Sequence, residues 1–188
     1  MIEGISMKVL PENWGTERLW VRDATMGDVP HLRNVFNACS YLGEWDNTFY
    51  EETEEAFVQL VTKSGGLNHN GKEIFKMQGV FLRGGENMIG YFHLFHDSPM
   101  PHRVWISMFV VHPHFQKNRY GSELAYGIWE QFKKLGDYEA IWLKVCLKNW
   151  PALRFWIDMG WRTIVHYEGD SVHADDTMAS IVLERKIA

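Results

Sequence analysis

Apolar residues along the chain follow two spacings, and each spacing predicts a different kind of element. Spacings of three and four residues, which indicate one buried helix face, occur in segments 32–39, 53–61, 124–135 and 152–159. Short apolar runs typical of strands occur in segments 19–22, 75–82, 88–95, 104–111, 140–147, 163–167 and 177–185. The predicted order is strand, two helices, three strands, helix, strand, helix, two strands. This order indicates an α/β fold with a mixed sheet, antiparallel in the middle and with crossover helices later.

Turn and capping residues set the predicted boundaries. Residues 25–28 form a capping box, with Pro30 tolerated in the first turn of the helix that follows. Residues 83–87 read R-G-G-E-N and predict a hairpin between two strands. Gly136 and Gly160 end two later helices. We assign residues 1–17 to an N-terminal arm and 18–188 to one domain, with no repeat or linker.

Composition narrows the class of protein. The chain is 46% hydrophobic and 23% charged, which is typical of a soluble globular protein with a sizeable core. A net charge of -5 argues against a nucleic-acid partner and agrees weakly with a cationic substrate. Cys39 and Cys146 lie far apart and are predicted to be buried free thiols. With no signal peptide and no apolar run of about 18 residues, we expect a cytoplasmic protein without a membrane partner.

The segment 110–122 carries the clearest chemical signal. An apolar run stops at His112 and Pro113, a short basic loop follows, and Gly121 opens a helix. A helix N-terminus leaves about four N–H donors unpaired and adds roughly half a positive charge, which suits phosphate. Lys117 and Arg119 add full charges beside it. The segment therefore predicts a site for a pyrophosphate-bearing cofactor.

This order of elements, together with the turn, resembles the GNAT superfamily of acyl-CoA-dependent N-acyltransferases. The family's central motif is V-x-P followed by Q/R-x-x-G-x-G/A, and it is matched here by Val111, Pro113, Gln116, Gly121 and Ser122. A later family segment is matched by Asn149, Ala152, Phe155, Gly160 and Trp161. The opening T-E-R-L-W-V-R at 16–22 is similar to the branch that includes ribosomal-protein alanine N-acetyltransferases. Arg119 departs from the motif, because the family has a glycine there.

The resemblance implies a single-domain GNAT-like fold with a mixed, mostly antiparallel sheet of about six to seven strands and about four flanking helices. It also implies acetyl-CoA as co-substrate. No metal is expected, because the acidic and histidine residues of 168–176 have the spacing of no standard metal site. Backbone N–H groups of the turn would hold the pyrophosphate, and Asn149 would contact the pantetheine arm, although a plain helix N-cap explains Asn149 equally well. Arg119 either points outward or adds a phosphate contact, and a non-glycine residue does not easily adopt φ > 0. The implied cofactor-binding residues are Phe109, Val110, Val111, Gln116, Lys117, Asn118, Arg119, Tyr120, Gly121, Ser122, Asn149 and Trp156.

The family chemistry is direct attack of a neutral amine on a thioester, which leaves two proton transfers to assign. The family's usual acid, a tyrosine, falls at Trp156, whose indole N–H has no useful acidity. For the base, Ser107 can hold a relay water, and the imidazoles of His93 and His96 have pKa values suited to the task. Glu44 and Asp46 are carboxylate options. The catalytic candidates are therefore Ser107, His96 and Glu44.

The acceptor remains open between a small amine and a protein N-terminus. Trp45 beside Asp46 can hold a cationic amine by cation–π and charge contacts, and His93 is the third candidate for substrate binding. The leading prediction is an N-acetyltransferase that uses acetyl-CoA. The alternative is a catalytically weak acyl-CoA-binding or regulatory module, motivated by Trp156 and by the absence of a carboxylate from 104–111. A transferase of larger acyl groups is a third reading, and exposed sheet edges are compatible with a homodimer.

Overall fold

A computed structural model describes residues 8–67, 73–172 and 174–187. Within them, eight strands form a single sheet and four α-helices cover it. The strands are β1 (Asn13–Gly15), β2 (Leu19–Asp23), β3 (Ile74–Leu82), β4 (Met88–His96), β5 (Arg103–Val111), β6 (Ala140–Cys146), β7 (Thr163–Gly169) and β8 (Ala179–Lys186). The helices are α1 (Val29–Asn37), α2 (Glu54–Lys63), α3 (Tyr120–Leu135) and α4 (Trp150–Asp158). The predicted order of elements is confirmed, and one short strand is added at its start.

The sheet runs in the order β1-β2-β3-β4-β5-β6-β8-β7. All neighbouring strands are antiparallel except β5 and β6, which are parallel. The parallel pairing is limited to Arg103–Ile106 against Ala140–Leu143. Beyond those residues β5 and β6 no longer pair with each other, although each still pairs with its other neighbour. A gap therefore opens between the carboxyl ends of β5 and β6. The mixed, mostly antiparallel sheet is as predicted, and the gap is the feature on which the site depends.

The described part of the predicted arm, residues 8–17, is packed into the domain. Asn13–Gly15 pairs with β2, and Trp14 is buried with its indole N–H donating to the Gln78 side-chain oxygen at 2.8 Å. The backbone N–H of Leu10, a fully buried residue, donates to His96 Nε2 at 3.1 Å. The core therefore begins well before residue 18. Three strand residues are too few to show a period, which is why the pattern did not predict β1.

The two faces of the sheet bury separate cores. Helices α3 and α4 pack on one face with residues such as Leu124 and Trp156, and α1 and α2 pack on the other with residues such as Phe36 and Phe57. A β-bulge in β5 at Ser107 leaves that residue without a partner in β4 and shifts the alternation of side chains. Ile106 therefore faces the α3/α4 core, whereas Met108, two residues later, faces α1 and α2.

Both cysteines are buried free thiols, as predicted. Burial raises the pKa of the Cys39 thiol to about 11, so it stays protonated and unreactive near neutral pH. Among the described helices, none combines the length and the apolar character that crossing a lipid bilayer requires.

Candidate active site

Three adjacent cavities share lining residues, and the middle one lies in the gap between β5 and β6. The turn-side cavity, of about 480 Å³, lies between the 112–122 turn, β5 and α4. The junction cavity, of about 100 Å³, lies in the gap itself and shares Phe109, Asn149 and Trp156 with the first. The helix-side cavity, of about 310 Å³, lies under α1 and α2 and shares Thr48 and Met108 with the junction cavity.

The 112–122 turn is held open by its own hydrogen bonds. Gln116 Nε2 donates to the Val111 carbonyl at 2.9 Å, and Asn118 Nδ2 donates to the Gln116 carbonyl at 3.0 Å. Lys117 and Arg119 both lie in the left-handed region, with φ of 62° and 65°. Backbone N–H groups in such a turn, followed by the first turn of α3, form a concave site for an anion. Arg119 thus adopts the positive φ that a non-glycine residue does not easily reach, in a turn that the bonds of Gln116 and Asn118 hold in place.

Arg18, in the segment before β2, holds this turn in place through three contacts. Arg18 donates to the Asn118 carbonyl at 3.2 Å, forms an ion pair with Glu123 at 2.6 Å, and lies 4.6 Å from the centre of the Tyr120 ring. Partial burial opposes ionisation of Glu123, but hydrogen bonds from Thr16 and Arg18 outweigh it and lower the pKa of that carboxyl. Sequence reasoning missed this contact, although the T-E-R-L opening contains two of its residues.

The implied cofactor-binding residues separate into three groups. Those that line the turn-side cavity are Phe109, Val111, Gln116, Lys117, Arg119, Gly121, Ser122, Asn149 and Trp156. Asn118 and Tyr120 belong to the turn but support it with their side chains. Asn118 donates a hydrogen bond within the turn, and the Tyr120 ring lies against the Arg18 guanidinium. The side chain of Val110 points the other way, into the α1/α2 core, where it is 3% exposed. Val110 can therefore reach a cofactor only through its backbone.

Asn149 combines the two roles that its position in the sequence left open. Its Oδ1 accepts from the Ala152 N–H at 3.3 Å and caps α4. The residue is 4% exposed and borders both the turn-side and junction cavities. Among the described residues, no partner is recorded for its Nδ2. An amide donor without a partner that opens onto a cavity fits the carbonyl groups of a pantetheine arm.

Trp156 forms the wall between the turn-side and junction cavities. Its ring makes edge contacts with Phe109 and Phe155 at 5.0 Å and with Trp161 at 4.9 Å. The described residues offer its indole N–H no hydrogen-bond acceptor. The residue can therefore donate a hydrogen bond into the site, but it cannot supply a proton.

Ser107 and His93 form a hydrogen-bonded pair beside the gap. Ser107 Oγ donates to the His93 carbonyl at 3.2 Å and lies 2.7 Å from His93 Nδ1. In the tautomer in which the hydroxyl proton donates to the carbonyl, Nδ1–H is the donor in the second bond and Nε2 keeps a free lone pair. Burial lowers the pKa of His93 to about 3, so the ring is neutral at physiological pH. Ser107 lines the junction cavity, and His93 lines the helix-side cavity.

His96 lies outside the site, which corrects its prediction as a base. It is three residues from His93 on the same strand, so it faces the opposite side of the sheet and packs against Phe132 and Tyr138. It is fully buried, its Nε2 accepts from the Leu10 N–H, and its Nδ1 lies 3.2 Å from the Ile74 carbonyl. Both nitrogens are therefore engaged, and burial lowers the pKa of the ring to about 4.

The 44–46 segment brings one of its three candidates to the cavities. Asp46 borders the junction cavity, and its Oδ1 accepts from the Thr48 N–H and hydroxyl at 3.1 and 2.7 Å. Glu44 is exposed, and Trp45 packs edge-on against Tyr41 with ring centres 6.5 Å apart. Neither lines any of the three cavities. Consecutive residues of this turn point in different directions. The predicted pair of Trp45 and Asp46 for a cationic amine therefore does not form. Glu44 is likewise not placed to act as a base.

Two polar residues of the helix-side cavity were missed. Tyr91 is 1% exposed, its hydroxyl has no hydrogen-bond partner among the described residues, and burial raises its pKa well above the usual value. Glu52 lines the same cavity, and its backbone is held by Asn37 through bonds of 2.9 and 3.1 Å. Period-2 alternation along β4 could have paired Tyr91 with His93. Nothing local marks Glu52, which reaches the cavity through the fold alone. The described residues contain no group of three metal-ligating side chains.

A sheet opened between two parallel strands, with an anion-binding turn on one face and a separate pocket on the other, defines the acyltransferase architecture to which this molecule corresponds. The model of the acetyltransferase (GNAT) family matches residues 31–161. The chain belongs to that family.

Solved structures agree in fold. A GNAT-family acetyltransferase from Bacillus anthracis superimposes with a TM-score of 0.71 at 20% identity, covering 93% of this chain and 98% of the other. RimL, a ribosomal-protein α-N-acetyltransferase in complex with coenzyme A, gives 0.71 at 17% identity, covering 95% and 98%. A chimera of the spermidine N-acetyltransferase SpeG from Vibrio cholerae and hSSAT gives 0.67 at 14% identity, covering 90% and 95%. No curated protein sequence matches the chain.

Proposed function

We propose that this protein transfers an acetyl group from acetyl-CoA to a primary amine by direct attack. The observation that carries the proposal is the run of three cavities, which joins an anion-binding turn to a separate pocket through the gap between β5 and β6. Two substrates that enter from opposite faces of the sheet would meet in the junction cavity. Family membership supports the reaction class.

The residues of the turn-side cavity fit coenzyme A. The N–H groups of residues 117–122 are directed to hold the pyrophosphate, with Lys117 adding charge at its edge. Asn149 Nδ2 is the donor available to the pantetheine arm. Phe109 and Trp156 exclude water from the junction cavity, which strengthens any hydrogen bond made there. Acetyl-CoA, when bound, supplies an activated thioester carbonyl.

Proton handling involves groups on the two sides of the junction cavity together with water. His93 is neutral, and because its pKa is lowered to about 3 it can accept a hydrogen bond from an amine in the helix-side cavity but cannot hold a proton near neutral pH, so the amine proton passes to water. Ser107 is a positioning residue, because its hydroxyl lies against His93 Nδ1 and orients the ring. Trp156 stands at the family's tyrosine position and offers a hydrogen bond in place of a proton. The departing thiolate is then protonated by water.

Thermal unfolding with and without acetyl-CoA tests the proposal first. At about 100 times Kd, a ligand that binds only the folded state adds roughly 2.7 kcal/mol, which should raise the midpoint by on the order of 5 to 10 °C. S-acetylpantetheine, which lacks the pyrophosphate, is the matched control and should give a much smaller shift. No shift with acetyl-CoA would contradict the proposal.

Turnover separates the enzyme from the alternative of a binding module. With acetyl-CoA and a panel of primary amines, the enzyme releases free thiol and forms acetylated amine. A midpoint shift without turnover of any amine would favour the catalytically weak module. Competition among acyl-CoA substrates of different chain length would measure whether the protein prefers acetyl over larger acyl groups. A cytoplasmic location and a homodimer stay predictions.

A further inference from the structure

We propose that the helix-side cavity binds the acceptor and that it selects a compact primary amine with an apolar, uncharged body, in preference to a polyamine or a polypeptide N-terminus. This inference rests on the proposed acetyl transfer, because it names the class of amine that this reaction uses.

The walls of the helix-side cavity are largely apolar. Phe36 comes from α1, Phe57 and Leu60 come from α2, and Met108 comes from β5 after the bulge. Phe57 packs edge-on against the Tyr91 ring with centres 6.0 Å apart, which gives the pocket a rigid aromatic side. Such walls stabilise an apolar body by removing it from water, and they penalise a second charge in the substrate.

The floor of the cavity offers hydrogen bonds but no formal charge. The Tyr91 hydroxyl and His93 Nε2 both border the cavity, and the described residues provide no partner for either. Their rings stack at 6.3 Å between centres, so the two polar atoms lie on one side of the pocket. One amino group can use both. An amine seated among these walls also has its pKa lowered by desolvation, which favours the neutral, nucleophilic form.

The charged lining residues are a single carboxylate and a single ammonium, Glu52 and Lys63. Tyr50 forms a hydrogen bond with Glu52 that raises the pKa of its own phenol, and burial, together with the Glu52 carboxylate, also raises the pKa of the Tyr91 phenol. The lining therefore offers a carboxylate to one ammonium group and not to several. A polyamine needs several carboxylates along its length, and Lys63 would repel its distal charges. A monoamine needs none of them once its head has reached the floor.

The size of the cavity points the same way. A volume of about 310 Å³ lies at the lower end of small-molecule sites, which run from roughly 300 to 1,000 Å³. It accommodates an arylalkyl or branched alkyl amine. A polypeptide N-terminus would in addition need unpaired backbone partners along a groove, whereas α2, whose backbone groups are paired within the helix, supplies more of the lining than any other element.

A competition among three amines tests the inference. At saturating acetyl-CoA, kcat/KM is measured for 2-phenylethylamine, for spermidine, and for a short peptide with a free N-terminal alanine. We expect 2-phenylethylamine to exceed each of the others by at least tenfold, a difference of about 1.4 kcal/mol. A preference for spermidine or for the peptide would overturn the inference while leaving the proposed acetyl transfer intact. No turnover of any amine, despite acetyl-CoA binding, would remove the proposed function and this inference together.

A pair of identical substitutions locates the selectivity. Leu60→Gln places an amide in the wall of the cavity and should raise the KM for 2-phenylethylamine about tenfold, without changing the KM for acetyl-CoA. Leu67→Gln, at an exposed position outside the cavity, should change neither. As a measurement on the unmodified protein, 2-phenylethanol should inhibit competitively against the amine and not against acetyl-CoA. Unchanged amine kinetics in Leu60→Gln, or inhibition competitive with acetyl-CoA, would contradict the assignment.

Discussion

A single amide side chain, Asn149, caps α4 and borders the cofactor site that we propose. Its oxygen caps α4, and its nitrogen borders the cavities without a partner among the described residues. Because the oxygen caps the helix and the nitrogen faces the cavities, two substitutions can distinguish capping from the proposed contact with the cofactor.

Asn149→Ser keeps a capping oxygen and removes the amide donor without burying a charge, so we expect stability within about 0.5 kcal/mol of wild type and acetyl-CoA affinity lowered about tenfold or more. Asn149→Ala removes both and should in addition lose about 1 kcal/mol of stability. Urea unfolding and acetyl-CoA titration measure the two effects. Full affinity in the serine variant would assign Asn149 to capping alone.

Between elements, the position of the 112–122 turn depends on the segment that precedes β2. Arg18 bonds the turn through the Asn118 carbonyl and bonds α3 through Glu123. Arg18 does not line any of the three cavities. We therefore regard it as a positioning residue for the turn.

Arg18→Gln should raise the KM for acetyl-CoA several-fold and leave the KM for the amine unchanged, because only the turn is loosened. Arg33→Gln, which removes an ion pair of two exposed side chains at 3.9 Å, is the matched control and should change neither. Steady-state kinetics with each substrate varied in turn would measure both. A loss confined to kcat would contradict a positioning role.

The segment 40–52, which we term the roof segment, borders all three cavities. Tyr41 and Leu42 line the turn-side cavity, Asp46 lines the junction cavity, and Tyr50 and Glu52 line the helix-side cavity. A Cβ on Gly43 would collide with the Phe49 carbonyl inside this segment, so its path depends on a glycine there.

Gly43→Ala should displace the roof segment and raise the KM for both substrates by about tenfold, with a stability loss of roughly 1–3 kcal/mol. Gly85→Ala in the β3–β4 hairpin, where the nearest atom would lie 3.6 Å away, should have little effect on either KM. The same kinetic assay and thermal unfolding test the pair. An effect on one substrate only would show that the roof segment acts on a single cavity.

For the whole molecule, His96 joins the N-terminal residues, β3, β4 and α3 at one buried point. Burial lowers its pKa to about 4 from an ordinary value near 6.5. The unfolded chain therefore binds a proton more readily than the native state does. Its contribution to stability is complete above pH 6.5 and is lost as the pH falls from about 6.5 towards 4.

At pH 5 this difference amounts to about 2 kcal/mol for one histidine. His96→Gln should weaken the fold near neutral pH and lose correspondingly less stability between pH 7 and pH 5 than wild type does. Chemical denaturation at both pH values measures the change, and His31→Gln, at an exposed position, is the control. An identical pH dependence in His96→Gln would mean that other groups cause the acid sensitivity.

Local features of this protein were predictable because they depend on residues a few positions apart. The cap at Asn149, the glycines that end α3 and α4, the β3–β4 hairpin and the helix start at the 112–122 turn each follow from local backbone preferences. The family motif lies within the same local stretches. The fold class was therefore predictable before any coordinates, and the role of the 112–122 turn in binding a cofactor stays a prediction.

The acceptor side was decided by tertiary structure. The bulge at Ser107 moves Met108 to the face of α1 and α2, and limited pairing of β5 with β6 opens the gap. Glu52 and Tyr91 meet in one cavity although 39 positions separate them. His93 and His96 have similar sequence surroundings and opposite environments. Burial and distance between such residues arise only when the sheet and helices pack, because side-chain chemistry alone does not specify which face of the sheet a residue will occupy.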